Sequence, residues 1–467
     1  MAYGKVTPGL LSALQQVVGP DHVLSDEASL ESYSSDETPS GLTVLPEVVV
    51  RPESTEQVSK VLTLANERVV PVTPRGRGTG LCNAAVPLYG GIVLSLERMN
   101  RILEVDEDNL MAVVEPGVLL QDLKAEVERR GLFYPADPGE KKASIGGNVC
   151  TNAGGMNGVK YGNTRRYILG LEAVLPSGRV LTLGGRTLKR STGYDLMQLL
   201  IGSEGTLAVI TKVIVKLIKL PEIFATLYVP FNSLGDAARC VSEVLRRRMT
   251  PTAMEFVEKD VILEAEKHVG RTMPYHDAEA YLIIRLEGET EQDLEREAEQ
   301  ISAICFRNHA VKVLFAETKE KQDAIWNIRS SFYEAIVKSR VAQIGDAAIP
   351  PSRIPEYVRK VKEISREYGI RVLCYGHAGD GNIHVHPLKD RLGDEEWAEK
   401  VPKVMESLYR EAAALGGTVS GEHGIGYAKK QYLPISVDQE QIRLMREIKR
   451  LFDPNNILNP GKIFDMP

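Results

Sequence analysis

Cysteine is scarce in this sequence and badly spaced for joint chemistry: Cys82, Cys150, Cys240, Cys305 and Cys374 stand alone in 467 residues, with no CxxC or CxxxC among them. That excludes a disulfide framework, a zinc knuckle and an iron–sulfur cluster, so electrons collected here cannot leave through a cluster of the chain's own. Each cysteine reads as a small buried hydrophobe. Basic excess is also missing. With 57 Lys and Arg against 63 Asp and Glu, the formal charge of -6 lacks the footprint of a nucleic-acid binder. No apolar run reaches membrane-spanning length, and the opening MAYGKVTPGLLSALQQVV lacks the parts of a secretory signal. A soluble cytoplasmic protein is expected. Neither a GxGxxG nicotinamide fingerprint nor a Walker loop with GK[ST] is present, and no repeat or low-complexity tract is visible.

The length exceeds what one hydrophobic core supports, which predicts two or three domains. Residues 1–40 read as a short amphipathic helix and an acidic, Ser-rich connector lying across the surface. Residues 41–220 alternate apolar runs such as TVLPEVVVRP with the amphipathic TEQVSKVLTLANER, a strand–helix–strand opening to an α+β domain with glycine-rich loops. Around Pro221 the glycines thin out. Residues 221–418 pair longer helices with antiparallel-looking strands such as AYLIIRLEG, which predicts a cap domain, and 419–467 close with a helix stopped by Asp-Pro and an Asn-Pro-Gly turn.

Three glycine-rich segments stand out. Pro74-Arg-Gly-Arg-Gly-Thr-Gly80 follows a strand, and its backbone amides suit a diphosphate; a tight turn with two solvated arginines is the alternative. The stretch from Pro135 through Ala143-Ser-Ile-Gly-Gly-Asn-Val-Cys-Thr-Asn-Ala-Gly-Gly155 to Lys160-Tyr-Gly-Asn-Thr164 makes poor core and a good hydrogen-bonding wall for a planar polar ring. Ile201-Gly-Ser-Glu-Gly-Thr-Leu207 repeats the theme.

Four of the eight histidines fall between 377 and 423, in YGHAGDGNIHVHP and SGEHGIG. His384 and His386, two apart on a strand, share a face, and the turn after His377 can bring that residue alongside. Adding Glu422 gives a two-histidine, one-carboxylate set suited to zinc, iron(II) or manganese; the alternative is that these histidines satisfy buried backbone groups in tight turns.

RGRGTG, DPGEKKASIGGNVCTNAGG, VKYGNTR and IGSEGTLAVIT, in that order, resemble the FAD domain of the vanillyl-alcohol oxidase superfamily. The resemblance implies a PCMH-type FAD-binding domain, an α+β cap made of an antiparallel sheet covered by helices, and a C-terminal segment returning to the flavin through Asn459. It places Arg75, Gly76, Arg77, Gly78, Thr79 and Gly80 at the diphosphate, Pro138, Ser144, Gly147, Asn148, Thr151, Gly154, Gly155, Tyr161 and Gly162 along the flavin, and Glu204, Gly205 and Ile210 on the adenine side. The diphosphate loop continues as Gly80-Leu81-Cys82-Asn83, without the histidine by which some relatives attach FAD, so non-covalent FAD is expected, with Cys82 the one nucleophile nearby.

GHAGDGNIH followed by SGEHGIG resembles the branch of D-lactate, glycolate and D-2-hydroxyglutarate dehydrogenases. It implies a divalent metal on His377, His384 and Glu422, His423 as general base, and Arg329 of the AIWNIR element as the grip on the substrate carboxylate; a lone arginine on a helix face otherwise reads as solvated. His386 is an added substrate contact or spare ligand. Ile344 stands where relatives acting on dicarboxylic acids carry a lysine, which favours a small 2-hydroxy acid such as D-lactate or glycolate. With no clusters and no nicotinamide motif, an electron acceptor is required, and electron-transferring flavoprotein is the expected partner; a homodimer is compatible. D-2-hydroxyglutarate oxidation, a non-catalytic flavin scaffold and a metal-dependent hydrolase are the competing readings.

Overall fold

The computed structural model describes residues 3–39, 41–316 and 318–466. The chain forms two compact units from interleaved stretches: Met1–Ala153, Asn163–Leu220 and His423–Pro467 make the first, and Gly154–Gly162 with Pro221–Glu422 the second. The glycine-rich piece Gly154–Gly162, which the sequence places with the first domain, thus groups with the second.

In the first unit a four-stranded sheet runs in the order Val23–Leu24, Val48–Val50, Ile92–Ser95, Val72–Arg75. Its last three strands are mutually parallel, and Val48–Val50 is buried at every position, which is why these strands read as unbroken apolar runs. Helix Thr55–Glu67 covers the sheet. Ser54 caps it by accepting from the Gln57 N–H, and Val58, Val61, Leu62 and Ala65 form its buried stripe. Helix Pro8–Val18 adds Leu10, Leu14 and Val18 to the same core. The first 40 residues are therefore more than a surface connector, because Val23–Leu24 joins the sheet and Leu30 is buried against Val49 and Val93. A second, antiparallel sheet has the order Ile102–Asp106, Met111–Val114, Val209–Lys216, Ile168–Val174, Val180–Gly184.

The chain's last stretch completes this unit. Helix Gln439–Phe452 ends at Asp453, whose carboxylate accepts the N–H groups of Ile457 and Leu458 at 3.1 and 2.8 Å and the Lys449 ammonium at 2.5 Å. So fastened, Leu458 forms a parallel bridge to Val72, the edge strand that leads into Arg75.

The second unit is built on a seven-stranded antiparallel sheet in the order Leu314–Ala316, Ile223–Phe231, Ala280–Gly288, Ala253–Glu258, Val372–His377, Asn382–Pro387, Gly345–Ala348. Register places functional side chains. Asp346 lies opposite His384 and His384 opposite Tyr375, while His377 lies opposite Asn382. The pairing of Phe256 with Gly376 carries Glu255 to His377 on the next row of the same face. Among the described residues no helix is long and apolar enough to cross a membrane. Four of the five cysteines are buried, and the Sγ atoms of Cys240 and Cys305 lie 3.6 Å apart as free thiols.

Candidate functional site

In the first unit the three glycine-rich loops converge. A Cβ on Gly76 would strike Ser144 Oγ at 2.1 Å, so only glycine lets the Pro74–Gly80 loop lie against the start of helix Ile145–Thr151. Ser144 caps that helix by accepting from the Gly147 N–H. The third loop joins through the Gly202 N–H to Val149 O at 3.0 Å and the Glu204 N–H to Cys150 O at 2.8 Å. Beside this junction Asn148, 4% exposed, has an amide Nδ2 with no acceptor among the described residues. A buried donor without a partner is costly, and a polar ring edge or phosphate oxygen is what would satisfy it, so these loops fit FAD.

Several side chains expected at the flavin have other work. The Arg75 guanidinium donates to Ser35 O at 2.7 Å and is buried, whereas Arg77 is exposed. Glu204 accepts the N–H groups of Ile425 and Gly426 at 2.8 and 2.7 Å, and burial pushes its carboxyl up against the pull of those donors. Asn459 donates to Ala84 O and Glu204 O at 3.0 and 2.8 Å. Glu204 and Asn459 therefore fasten the third loop to the C-terminal stretch that begins with His423. Ile210 is buried within strand Val209–Lys216 and Pro138 is buried in its loop, while Thr151 donates back to Gly147 O. Thr79, Gly80 and Gly205 lie in the converging loops, and Gly78 and Gly205 take positive φ there. Cys82 is fully buried with Sγ 3.1 Å from His423 O, and burial, then Glu204, holds its thiol well above the ordinary range. That makes it a poor nucleophile.

In the second unit the sheet register assembles a buried histidine–carboxylate cluster. His377 Nε2 and His384 Nε2 each lie 3.4 Å from Glu422 Oε1. Behind each ring stands a fully buried carboxylate: Glu255 Oε1 is 2.8 Å from His377 Nδ1, and Asp346 Oδ1 is 3.7 Å from His384 Nδ1. Glu422 arrives because Asp346 accepts Ser420 Oγ, the Gly421 N–H and the Glu422 N–H at 2.9, 3.1 and 3.1 Å, as well as Asn382 Nδ2 at 2.8 Å. Ligand atoms of Asp346, His384 and Glu422 also fall within 4.8 Å of one another. With its oxygens already taken by those four donors, Asp346 suits an orienting role better than ligation, and His377 Nε2 is the better third donor. A Cβ on Gly154 would meet Glu422 Oε2 at 2.9 Å, and one on Gly158 would overlap the Asp380 carboxylate, so this glycine-rich segment packs on the cluster. Tyr161 and Lys160 of the same segment both engage Glu287, and Gly155 and Gly162 lie within it.

The cluster's charge is unbalanced. Glu255, Asp346 and Glu422 bring three carboxylates against the Arg329 guanidinium and the His377 imidazole; burial opposes charging that ring, but Glu255 and then Glu422 hold it well above its ordinary value. Burial, and after it the neighbouring Glu422, pushes the Asp380 carboxyl up to about 7. Burial opposes ionisation of Glu255 too, but Arg329 and His377 outweigh it and hold that carboxyl below its ordinary value. Two imidazole nitrogens and a carboxylate oxygen facing one point in an anionic pocket fit a divalent cation. Arg329 itself is 7% exposed, with Nε and Nη2 on Glu255 Oε2 at 2.6 and 2.5 Å. Its Nε–Nη2 edge is thus already engaged, which leaves the Nη1 side to meet a substrate carboxylate. His386 shares the face of His384 but stacks on Tyr375, ring centroids 5.2 Å apart at 6°, rather than joining the Glu422 group. Glu255 was not legible as a site residue; its only signal is a carboxylate inside the apolar strand AMEFVE.

Comparison with known proteins identifies the family. Residues 46–184 match the FAD binding domain and residues 220–463 the C-terminal domain of FAD linked oxidases. The chain belongs to the FAD-linked oxidase family and is an FAD-dependent oxidoreductase. It is 40% identical over 467 residues to a D-lactate dehydrogenase of Anaerostipes hadrus, covering 99% of this chain and 98% of the relative. It is also 40% identical over 461 residues to the glycolate oxidase subunit GlcD of Bacillus subtilis (strain 168), covering 98% and 97%. Among solved structures it resembles p-cresol methylhydroxylase, with a TM-score of 0.80 at 18% identity over 97% of this chain and 96% of that one. The α+β, PCMH-type architecture that the family resemblance implied is the one observed.

Proposed function

We propose that this protein oxidises a small D-2-hydroxy acid, D-lactate or glycolate, to the 2-oxo acid and passes the two electrons to a protein acceptor such as electron-transferring flavoprotein. The observation that carries the reading is the convergence of His377 Nε2 and His384 Nε2 on Glu422 Oε1 in an anionic, buried pocket of an FAD-linked oxidase. The names of the relatives, D-lactate dehydrogenase and glycolate oxidase, support the same substrate class. His377, His384 and Glu422 would hold the divalent cation, and the loops at Gly76, Ser144 and Gly202 would hold FAD.

When bound, FAD supplies the acceptor for the hydride from the substrate Cα, and the metal supplies positive charge that acidifies a coordinated hydroxyl. The chain's own residues do the rest. His423, next in the chain after Glu422, takes the hydroxyl proton as general base. Arg329, fixed by Glu255, contributes positive charge toward the substrate carboxylate from its Nη1 side. Ile344 is buried and apolar, so it offers no cation for a second carboxylate, which favours a monocarboxylic acid.

The test is anaerobic bleaching of the flavin absorbance by D-lactate, L-lactate, glycolate and D-2-hydroxyglutarate in turn, before and after chelation. Fast, chelator-sensitive bleaching by D-lactate or glycolate is expected. Bleaching by D-2-hydroxyglutarate alone would overturn the substrate assignment, and none with any acid, despite bound FAD and metal, would turn the reading to a scaffold subunit.

A further inference from the structure

Glu255 is the least explained group in the second unit: a carboxylate with no solvent exposure, on a central strand, touching two residues that the proposed function uses. Its Oε1 and Oε2 lie 2.8 and 3.0 Å from His377 Nδ1, and Oε2 also accepts from Arg329 Nε at 2.6 Å. An ionised carboxylate only accepts, and a guanidinium only donates. At 2.8 Å from an oxygen that only accepts, Nδ1 must carry the proton and donate it to Glu255, and a protonated Nδ1 has no lone pair for Arg329 Nη2, 3.3 Å away, to donate to. In the neutral imidazole this leaves Nε2 as the lone-pair nitrogen, and Nε2 is the atom that faces Glu422.

We propose that Glu255 is a positioning residue that fixes the His377 ring and its tautomer for metal binding while anchoring the Arg329 guanidinium beside it. The inference rests on the metal assignment made above. Sheet register is what makes the arrangement stiff, since the cross-strand pairing of Phe256 with Gly376 sets Glu255 against His377 before any ligand is present. Carboxylates that hold the distal nitrogen of a metal-binding histidine typically contribute 10- to 100-fold to metal affinity. Arg329 adds a reason for the choice of glutamate. Its rings of contact, Phe332 and Tyr375, each 5.3 Å away, cannot neutralise it, so Glu255 is its counter-ion as well. One carboxylate thereby sets the separation between the positive group and the metal ligand.

Glu255→Gln keeps the shape and a carbonyl to accept from Nδ1 but removes the charge. In the FAD-loaded protein, Mn(II) and Zn(II) affinity is measured by competition with a chromophoric chelator, with flavin content and melting temperature as controls for folding. The expected result is about 10- to 100-fold weaker metal binding at unchanged flavin content, with turnover recovering as Mn(II) is raised. Parent-like metal affinity in Glu255→Gln would overturn the proposal. Should that variant fail to fold with Arg329 unpaired, the double variant Glu255→Gln/Arg329→Gln, which buries no lone charge, is predicted to fold and show the same loss. If the parent protein itself takes up neither metal, the metal assignment falls and this inference falls with it, an outcome distinct from a variant that merely matches its parent.

Discussion

At the scale of single residues, what matters is which atoms are already committed. Arg329, Arg75, Glu204 and Asn459 were all marked by motif, yet each side chain is bound to the protein: Arg329 to Glu255, Arg75 to Ser35 O, Glu204 to two N–H groups and Asn459 to two carbonyls. For Arg75, Glu204 and Asn459 this leaves placement or backbone as the proposed contribution to ligands. His423 is different, since its proposed task is a proton transfer by the side chain itself. His423→Ala is expected to keep its flavin and lose turnover by about 10²- to 10⁴-fold, read as the anaerobic flavin-reduction rate with saturating substrate. Unimpaired reduction in that variant would remove His423 from the base role.

At the scale of elements, the edge strand Gly345–Ala348 deserves most weight, because it carries the residue that gathers a loop. Asp346 accepts from Asn382, Ser420, Gly421 and Glu422, tying segment 418–422 to the sheet through bridges at Ser420 and Thr418. Asp346→Ala would remove the side-chain acceptor shared by four donors, of which Asn382 Nδ2 keeps Ala347 O and the Gly421 N–H keeps Asp346 O. A loss of about 2 kcal/mol is expected in urea unfolding, together with reduced metal occupancy as Glu422 loses its anchor. If occupancy stays full, the loop is held by other means and Asp346 is only a stability residue.

At the scale of the whole molecule, chain connectivity governs what can be separated. The first unit includes His423–Pro467, and Leu458 bridges Val72 while Lys449 reaches Thr206 O at 2.7 Å. A fragment of residues 1–220 is thus predicted not to fold or bind FAD, although a cut at the visible boundary looks natural; binding of FAD by that fragment would show the closing segment to be dispensable. Stability should also vary with pH through Lys462, buried with its ammonium 2.5 Å from Val86 O and pushed down to about 8, chiefly by burial. Below pH 8 the lysine is charged in both states and the cost of burying it is constant. Between about 8 and the ordinary lysine value of 10.5 the unfolded chain holds the proton more tightly, so this group makes stability rise with pH. Urea midpoints at pH 7.5 and 9.5 should show Lys462→Met with less of this rise than the parent; equal slopes would mean the lysine is solvated.

Much of this protein is written in local pattern. The glycine loops, the helix stripe of Val58, Val61, Leu62 and Ala65, and the histidine spacing follow from backbone conformational freedom and side-chain period, which neighbouring residues alone specify. The proposed metal ligands His377, His384 and Glu422 lie in two such motifs, and the structure brings the three together. What pairs with them was not. Glu255 stands 122 residues from His377, and Asp346 lies 74 from Ser420, so no local spacing announces either contact. Nor could pattern show that residues 154–162 pack with the second unit, since that depends on Glu422 and Asp380 coming within reach of Gly154 and Gly158. The sequence by itself determined the ligand types and the loops that suit FAD. Only the tertiary structure decided which carboxylate stands behind which histidine, because that is a matter of strand register between segments far apart in the chain.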